Sequence, residues 1–208
     1  EFPRKNDAPA CVVRVLEPDA VAVSVRWEGE AAVELKSIHP AGLFEGRVPH
    51  RRPLQPYKLH VRYASGVEID KHDAYYFAPQ LSDFDLYLFG EGRLRQGYRM
   101  LGSHGIEIDG IKGVRFAVWA PNAERVSVVG EFNRWDGRIH PMASLGASGV
   151  WELFIPGLAA EILYKYEIRN RATGAVQVKT DPYGQGFEMR PATAACVPAS
   201  AGYAWGDA

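Results

Sequence analysis

Cysteine is scarce in this chain, with two residues among 208. Cys11 and Cys196 lie far apart and belong to no CxxC pair. A closed structural zinc site is thereby excluded, since it needs four Cys or His ligands at short spacing. A disulfide would have to join the first strand to the last, so two buried cytosolic thiols are the expectation. Histidine offers no metal site either, because His39, His50, His60, His72, His104 and His140 never fall at ligand spacing. No metal or cofactor is expected. No apolar run approaches the roughly 18 residues that span a bilayer, and no secretory leader is visible. Excess charge is also missing. A net charge of −1 supplies no field for nucleic acid or an anionic membrane surface. The expected setting is cytoplasmic, with neither as a partner.

The 3.6-residue period of a long helix is absent almost everywhere. In its place are short alternating segments broken by Gly, Pro, Asn and Asp. Val21–Trp27 reads VAVSVRW, with Val21, Val23, Val25 and Trp27 on one face. Ala10–Leu16, Ala32–Ile38, Gly42–Val48 and Tyr57–Tyr63 continue the series, and Ala64-Ser65-Gly66 turns into Val67–Asp70. Farther on, Val114–Trp119, Arg125–Glu131, Gly149–Ile155, Leu163–Arg169, Val176–Thr180 and Ala194–Val197 repeat the scheme. Period-2 segments at such spacing indicate antiparallel β-sandwiches. Trp119 is expected in the core, among Phe116, Val118 and Val126. Trp151, out of phase with Phe154, is expected to be accessible.

Part of the sequence occurs twice. Residues 18–25 read PDAVAVSV, and residues 121–128 read PNAERVSV, 103 positions later. Tyr57-Lys58-Leu59-His60-Val61-Arg62 returns 107 positions on as Tyr164-Lys165-Tyr166-Glu167-Ile168-Arg169. Lys71-His72-Asp73-Ala74-Tyr75 returns 108 positions on as Lys179-Thr180-Asp181-Pro182-Tyr183. Ordered matches with a slowly drifting offset mark a duplicated module whose loops changed length. The expected fold is all-β, two tandem immunoglobulin-like antiparallel β-sandwiches joined by a short helical linker. The boundaries read as 1–80 for the first sandwich, 81–113 for the linker, 114–198 for the second sandwich and 199–208 for a connection onward. Ser82 or Asp83 is placed to cap the linker helix. The linker's apolar residues, Phe84, Leu86, Leu88, Phe89 and Leu94 among them, make it a docked segment rather than a flexible tether.

The motifs in 86–140 are specific. LFGEGR, MLGSH, GVRFAVWAPNAERVSVVGEFNRWDGRIHPM, SGVWELFIPG, YKYEIRN and KTDPYG resemble the N-terminal part of bacterial 1,4-α-glucan (glycogen) branching enzymes. Copy two looks like the family-48 carbohydrate-binding module, and copy one like the extra sandwich of the long bacterial form. The resemblance implies a non-catalytic region that binds and positions α-glucan and docks on a catalytic (β/α)₈ barrel beyond residue 208. The barrel would carry an Asp nucleophile, a Glu acid/base and a second Asp, so no catalytic residue is expected in this chain. The acidic pairs Asp83/Asp85 and Glu68/Asp70 lie on a linker and a hairpin, with no cleft implied between opposed carboxyls.

Trp135 in FNRWDGR is the first candidate glucan contact, since a flat aromatic ring can stack on the apolar face of a sugar. The alternative for it is packing at the sandwich edge. Asn133 is the second candidate; with Asp136 it also suits plain turn chemistry. Lys165 stands where sugar-binding members use a lysine on glucose hydroxyls; the alternative is a solvated strand charge. Trp151 is a further, weaker candidate. Where such members place a second tryptophan, this chain reads Gly174-Ala175-Val176-Gln177, so a two-ring platform is lacking. Asp181 and Tyr183 are expected to dock the module on its catalytic neighbour. A second class of function is a stand-alone glycogen-binding regulatory module resembling the β subunit of AMP-activated kinase. Reading the gene downstream of Ala208 separates the two.

Overall fold

A computed structural model of the protein describes residues 10–49 and 56–199, so all but the first residue of the expected connection 199–208 lies outside it. The chain divides into two compact units at Tyr76/Phe77. The first holds β1 (Ala10–Leu16), β2 (Ala20–Arg26), β3 (Val33–His39), β4 (Leu43–Pro49), β5 (Lys58–Tyr63) and β6 (Glu68–His72). They pair antiparallel in the order β1-β4-β3-β2-β5-β6. Alternation puts Val13, Val15, Leu35 and Phe44 from one half of this path against Val23, Val25, Leu59 and Val61 from the other. Trp27 closes the core as expected, but Val21 is exposed. A register shift between Ala20 and Ala22 turns it outward, as bulges do. Glu17 is buried after β1, and Lys71 and Tyr63 from the β5–β6 hairpin satisfy its carboxylate.

The second unit opens with α1 (Asp83–Gly90) and α2 (Gly97–Met100). Ser82 caps α1 by accepting from the Asp85 N–H at 3.1 Å. There follow β7 (Gly102–Ile108), β8 (Ile111–Trp119), β9 (Ala123–Gly130), β10 (Ala143–Ser144), β11 (Val150–Pro156), β12 (Leu163–Asn170), β13 (Val176–Lys179), β14 (Gly186–Phe187) and β15 (Ala195–Cys196). One sheet runs β10-β11-β8-β7, and the other runs β13-β12-β15-β14 with β9 also on β12. The stretch 81–113, read as a linker, therefore also carries β7 and the start of β8. Both units are all-β, and every strand pair is antiparallel. Cys11 and Cys196 are free and half-buried.

The duplication is preserved in register. Val23 faces Val61, and Val25 faces Leu59, across β2 and β5. Shifted by 103 and 107 residues these become Val126 with Ile168 and Val128 with Tyr166, which are the observed pairs of β9 and β12. Even the irregularity recurs, at Ala20/Ala22 in one copy and beside Asn170 in the other. The Tyr and Asp of the repeat have a shared purpose as well. Tyr57 Oη donates to Asp73 Oδ2 at 2.6 Å, and Tyr164 Oη to Asp181 Oδ2 at 2.6 Å. The Tyr75 N–H donates to Asp73 Oδ1 at 2.9 Å, and the Tyr183 N–H to Asp181 Oδ1 at 2.8 Å. Each sandwich thus ties the strand after its hairpin to the strand before it with one carboxylate.

In the second unit the helical segment covers the outer face of β8 and β11. Leu81, Leu86, Phe89 and Leu94 pack on Met100, Leu101, Ala117 and Val150. Phe77 meets Phe154 edge-on at 4.9 Å. Two buried charges fasten the segment. Glu152 accepts from the Gln80 and Leu81 N–H groups at 2.7 and 3.1 Å. Arg115 donates to the Arg99 carbonyl at 3.0 Å. With both faces covered, β11 loses the alternation that reveals a half-buried strand.

Candidate functional site

The hairpin connection after β9 is built around a side chain that the sequence reading left open. Asn133 is buried. Its Oδ1 accepts from the Gly130 N–H at 2.9 Å, and its Nδ2 donates to the Val128 carbonyl at 2.8 Å and contacts His140 Nδ1 at 3.0 Å. The amide is fully spent on the turn, so Asn133 is not placed to touch a ligand; that candidate is corrected here. Replacing it with alanine leaves a buried N–H without an acceptor. An Asn133→Ala variant is expected to lose about 1–3 kcal/mol of stability, measurable as a fall in the urea midpoint.

What Asn133 holds in place is Trp135. The 3-10 turn Glu131–Asn133 is followed by Arg134 at φ +56° and Trp135 at φ +60°. Two successive non-glycine residues in the left-handed region cost about 1–2 kcal/mol each, and such strain persists where the surroundings enforce it. The Trp135 N–H donates to the Gly130 carbonyl at 2.8 Å, which closes the loop. The ring is 41% exposed. Asp136 stiffens the far side, where the Arg138 side chain grips it and holds its carboxyl below the usual range. Gly137 lies directly over the Glu167 carboxylate, where any Cβ would collide. The turn therefore rests on the face of β12 that carries Glu167.

Lys165 is two residues before Glu167, on that same face and half-buried. Its Nζ donates to Thr193 Oγ1 at 2.9 Å. Across β12 the same face continues with Val178 opposite Glu167 and Val176 opposite Arg169, both exposed. No aromatic ring occupies this part of β13. β13 thus carries no second ring of the kind that the resemblance places there.

Trp119 and Trp151 exchange the places expected of them. Trp151 is 8% exposed and donates its indole N–H to the Ala120 carbonyl at 3.1 Å. It faces Val118 on β8, on the inner side of the sheet. It has no accessible ring face, and the candidate contact at Trp151 is corrected to a core role. Trp119 is 53% exposed. It pairs with Val150 and shares the outer side with Ala117 and Arg115, not the inner side with Phe116 and Val118. Its ring meets Phe89 edge-on at 6.1 Å. Sequence parity with Arg115 was the signal that could have found this.

Asp181 is also internal. It is buried and accepts from both Tyr164 and Tyr166 hydroxyls, at 2.6 and 3.2 Å. Burial raises its carboxyl pKa, and the hydroxyl and N–H donors partly offset that. Tyr183 lies against the segment before β7, with its hydroxyl 3.7 Å from where a Cβ on Gly97 would sit. Its carbonyl lies 3.0 Å from the corresponding point at Gly102, whose φ is +95°. Asp181 is therefore engaged inside the second unit, while Tyr183 remains 37% exposed.

Comparison with known proteins matches both units. Residues 3–75 match the N-terminal domain of the alpha-1,4-glucan branching enzyme GlgB. Residues 100–184 match carbohydrate-binding module 48, the isoamylase N-terminal domain. A 1,4-alpha-glucan branching enzyme GlgB of Nitrosospira multiformis is 57% identical over 95% of this chain and 27% of its own length. That of Methylococcus capsulatus is 52% identical over 95% of this chain and 26% of its own. The chain thus spans about a quarter of the curated relatives it matches. Among solved structures, a Bacillus subtilis pullulanase aligns over 96% of this chain and 27% of its own with 16% identity and a TM-score of 0.40, too low to add weight. On the sequence matches to both units, the chain belongs to the N-terminal region of the 1,4-alpha-glucan branching enzyme family, a branching-enzyme N-terminal domain followed by a carbohydrate-binding module 48.

Proposed function

We propose that the chain is the non-catalytic N-terminal part of a 1,4-α-glucan branching enzyme and that its second unit holds α-glucan at the Trp135 turn. The whole enzyme would cut an α-1,4-glucan, keep the fragment on an aspartate of a barrel beyond residue 208, and transfer it to a 6-hydroxyl. The two units would position the polymer and dock on that barrel, in the cytoplasm where glycogen is made. The observation that carries this reading is the Trp135 ring, exposed on a strained turn that a buried Asn133 enforces. A glucose ring would stack on the indole, displacing water from two apolar faces. Lys165 would donate to sugar hydroxyls; one of its three donors is taken by Thr193, which leaves two.

One ring and one charged donor support a dissociation constant on the order of millimolar. In glycogen affinity gels the wild-type chain is expected to be retarded, and Trp135→Ala to run as if no glycogen were present. Unchanged retardation of Trp135→Ala would remove the site assignment. The purified 208-residue chain is expected to form no branches in an iodine-stain assay; branching by it would refute the non-catalytic role.

A further inference from the structure

Helix α1 carries two apolar stripes. Leu86 and Phe89 face inward and pack on the cluster around Met100 and Leu101. Phe84, Tyr87 and Leu88 stand at i, i+3 and i+4, which places them on the opposite side. Phe84 is 67% exposed and Tyr87 57%, and no residue of the helix is buried. On the inner stripe, Phe89 meets the exposed Trp119 ring edge-on at the end of β8.

A helix that is apolar on both sides is ordinarily covered on both. The inner stripe already supplies everything the second unit needs from α1. The outer stripe adds nothing to that core, and Phe84 and Tyr87 are among the most exposed large apolar side chains of the described residues. Of the pair expected to dock, Asp181 is consumed within the unit, whereas Tyr183 keeps 37% of its surface exposed. No described residue of the second unit buries the stripe. The curated relatives run on for almost three-quarters of their length outside the match, which covers 27% of one and 26% of another.

We propose that Phe84, Tyr87 and Leu88 form the surface on which the catalytic part of the longer protein docks. This rests on the reading of the chain as the first part of a branching enzyme. The partner surface is an apolar groove that takes the helix side-on, with aromatic anchors from α1.

The test uses single cysteines introduced in the 208-residue chain and in the longer protein. Thiol-labelling rates are followed site by site through peptide mass mapping. Tyr87→Cys is expected to label rapidly in the short chain and at least about tenfold more slowly in the longer protein, as an interface core excludes solvent. Ala172→Cys, on the exposed β12–β13 turn, serves as the reference and is expected to label equally in both. Hydrogen exchange over 83–90 in the unsubstituted proteins reads the same protection without relying on a variant. Equal rates at Tyr87→Cys with equal exchange overturn the proposal. Slow labelling already in the short chain also overturns it, since the cover then comes from this chain or a second copy. If the longer protein branches glucan while α1 stays open, only the docking surface falls. If the gene encodes no such continuation, the branching-enzyme reading falls with it.

Discussion

An Asp181→Ala variant is expected to lose about 3–5 kcal/mol of unfolding free energy in the second unit. Three donors converge on this carboxylate, the Tyr164 and Tyr166 hydroxyls and the Tyr183 N–H. Both phenol rings are fully buried, so water cannot replace the lost acceptor. Each stranded donor costs about 1–3 kcal/mol, and removal of a desolvated charge returns part of that. Against a domain stability of about 5–15 kcal/mol the remainder is a large share. The same change at Asp73 strands one hydroxyl, that of the half-buried Tyr57, and one N–H. A smaller loss is expected there. Urea midpoints of the two variants, followed by near-ultraviolet circular dichroism, rank them; an Asp181→Ala midpoint equal to wild type would refute the argument.

The pH dependence has a definite sign. Burial raises the Asp181 pKa above the ordinary 3.8. The folded state then holds the proton more tightly than the unfolded state, so this group favours the fold most fully below 3.8. That contribution fades as pH climbs through the raised folded value. Asp181→Asn has no such titration. Wild type is therefore expected to gain stability relative to Asp181→Asn on acidification toward pH 3.8, and a pH-independent difference would contradict the assignment.

The second large effect is expected at Glu152. Its two carboxylate oxygens hold the first residues of the helical segment, Gln80 and Leu81. It is also the foremost charge supporting the buried Arg115 guanidinium, which desolvation pulls down in pKa. Glu152→Ala leaves two N–H groups and one cation unsupported. About 3 kcal/mol of local stability is expected to go, so amide exchange over 80–101 is expected to rise about a hundredfold. Glu152→Gln keeps an acceptor for one N–H but not the charge, so an intermediate increase is expected. Exchange rates unchanged in both variants would show that the apolar contacts alone retain the segment.

The sandwiches were legible because β2, β5, β9 and β12 each carry unbroken period-2 runs with turn residues at their ends. The duplication was legible for the same reason, and the two copies keep the same pairing register. Legibility failed where a strand has two covered faces. On β11 every position through Ile155 is buried, so the phase of Trp151 against Phe154 carried no information about exposure. The cover itself, residues 77–101, reads as a linker because short apolar pieces broken by Gly90 and Gly92 have no period of their own. Trp135 was found by motif, yet the reason it is presented, a buried amide three-dimensionally enclosed by Val128, Gly130 and His140, involves bonds that no linear pattern displays. Asp181 was misread as an outward residue because a single carboxylate gives no hint of two phenols on a neighbouring strand.

The paired left-handed residues at 134 and 135 also govern which side chains can be tried there at all. Valine, isoleucine and threonine clash in that conformation, whereas glycine, asparagine and aspartate enter it readily. An affinity series at Trp135 thus has a filtered alphabet. Tyrosine, phenylalanine and histidine vary the ring, asparagine and glycine remove it at no added backbone strain, and a β-branched substitution reports on backbone collapse instead of sugar recognition. Any directed-evolution library at this turn will be depleted of those residues before a ligand is ever added.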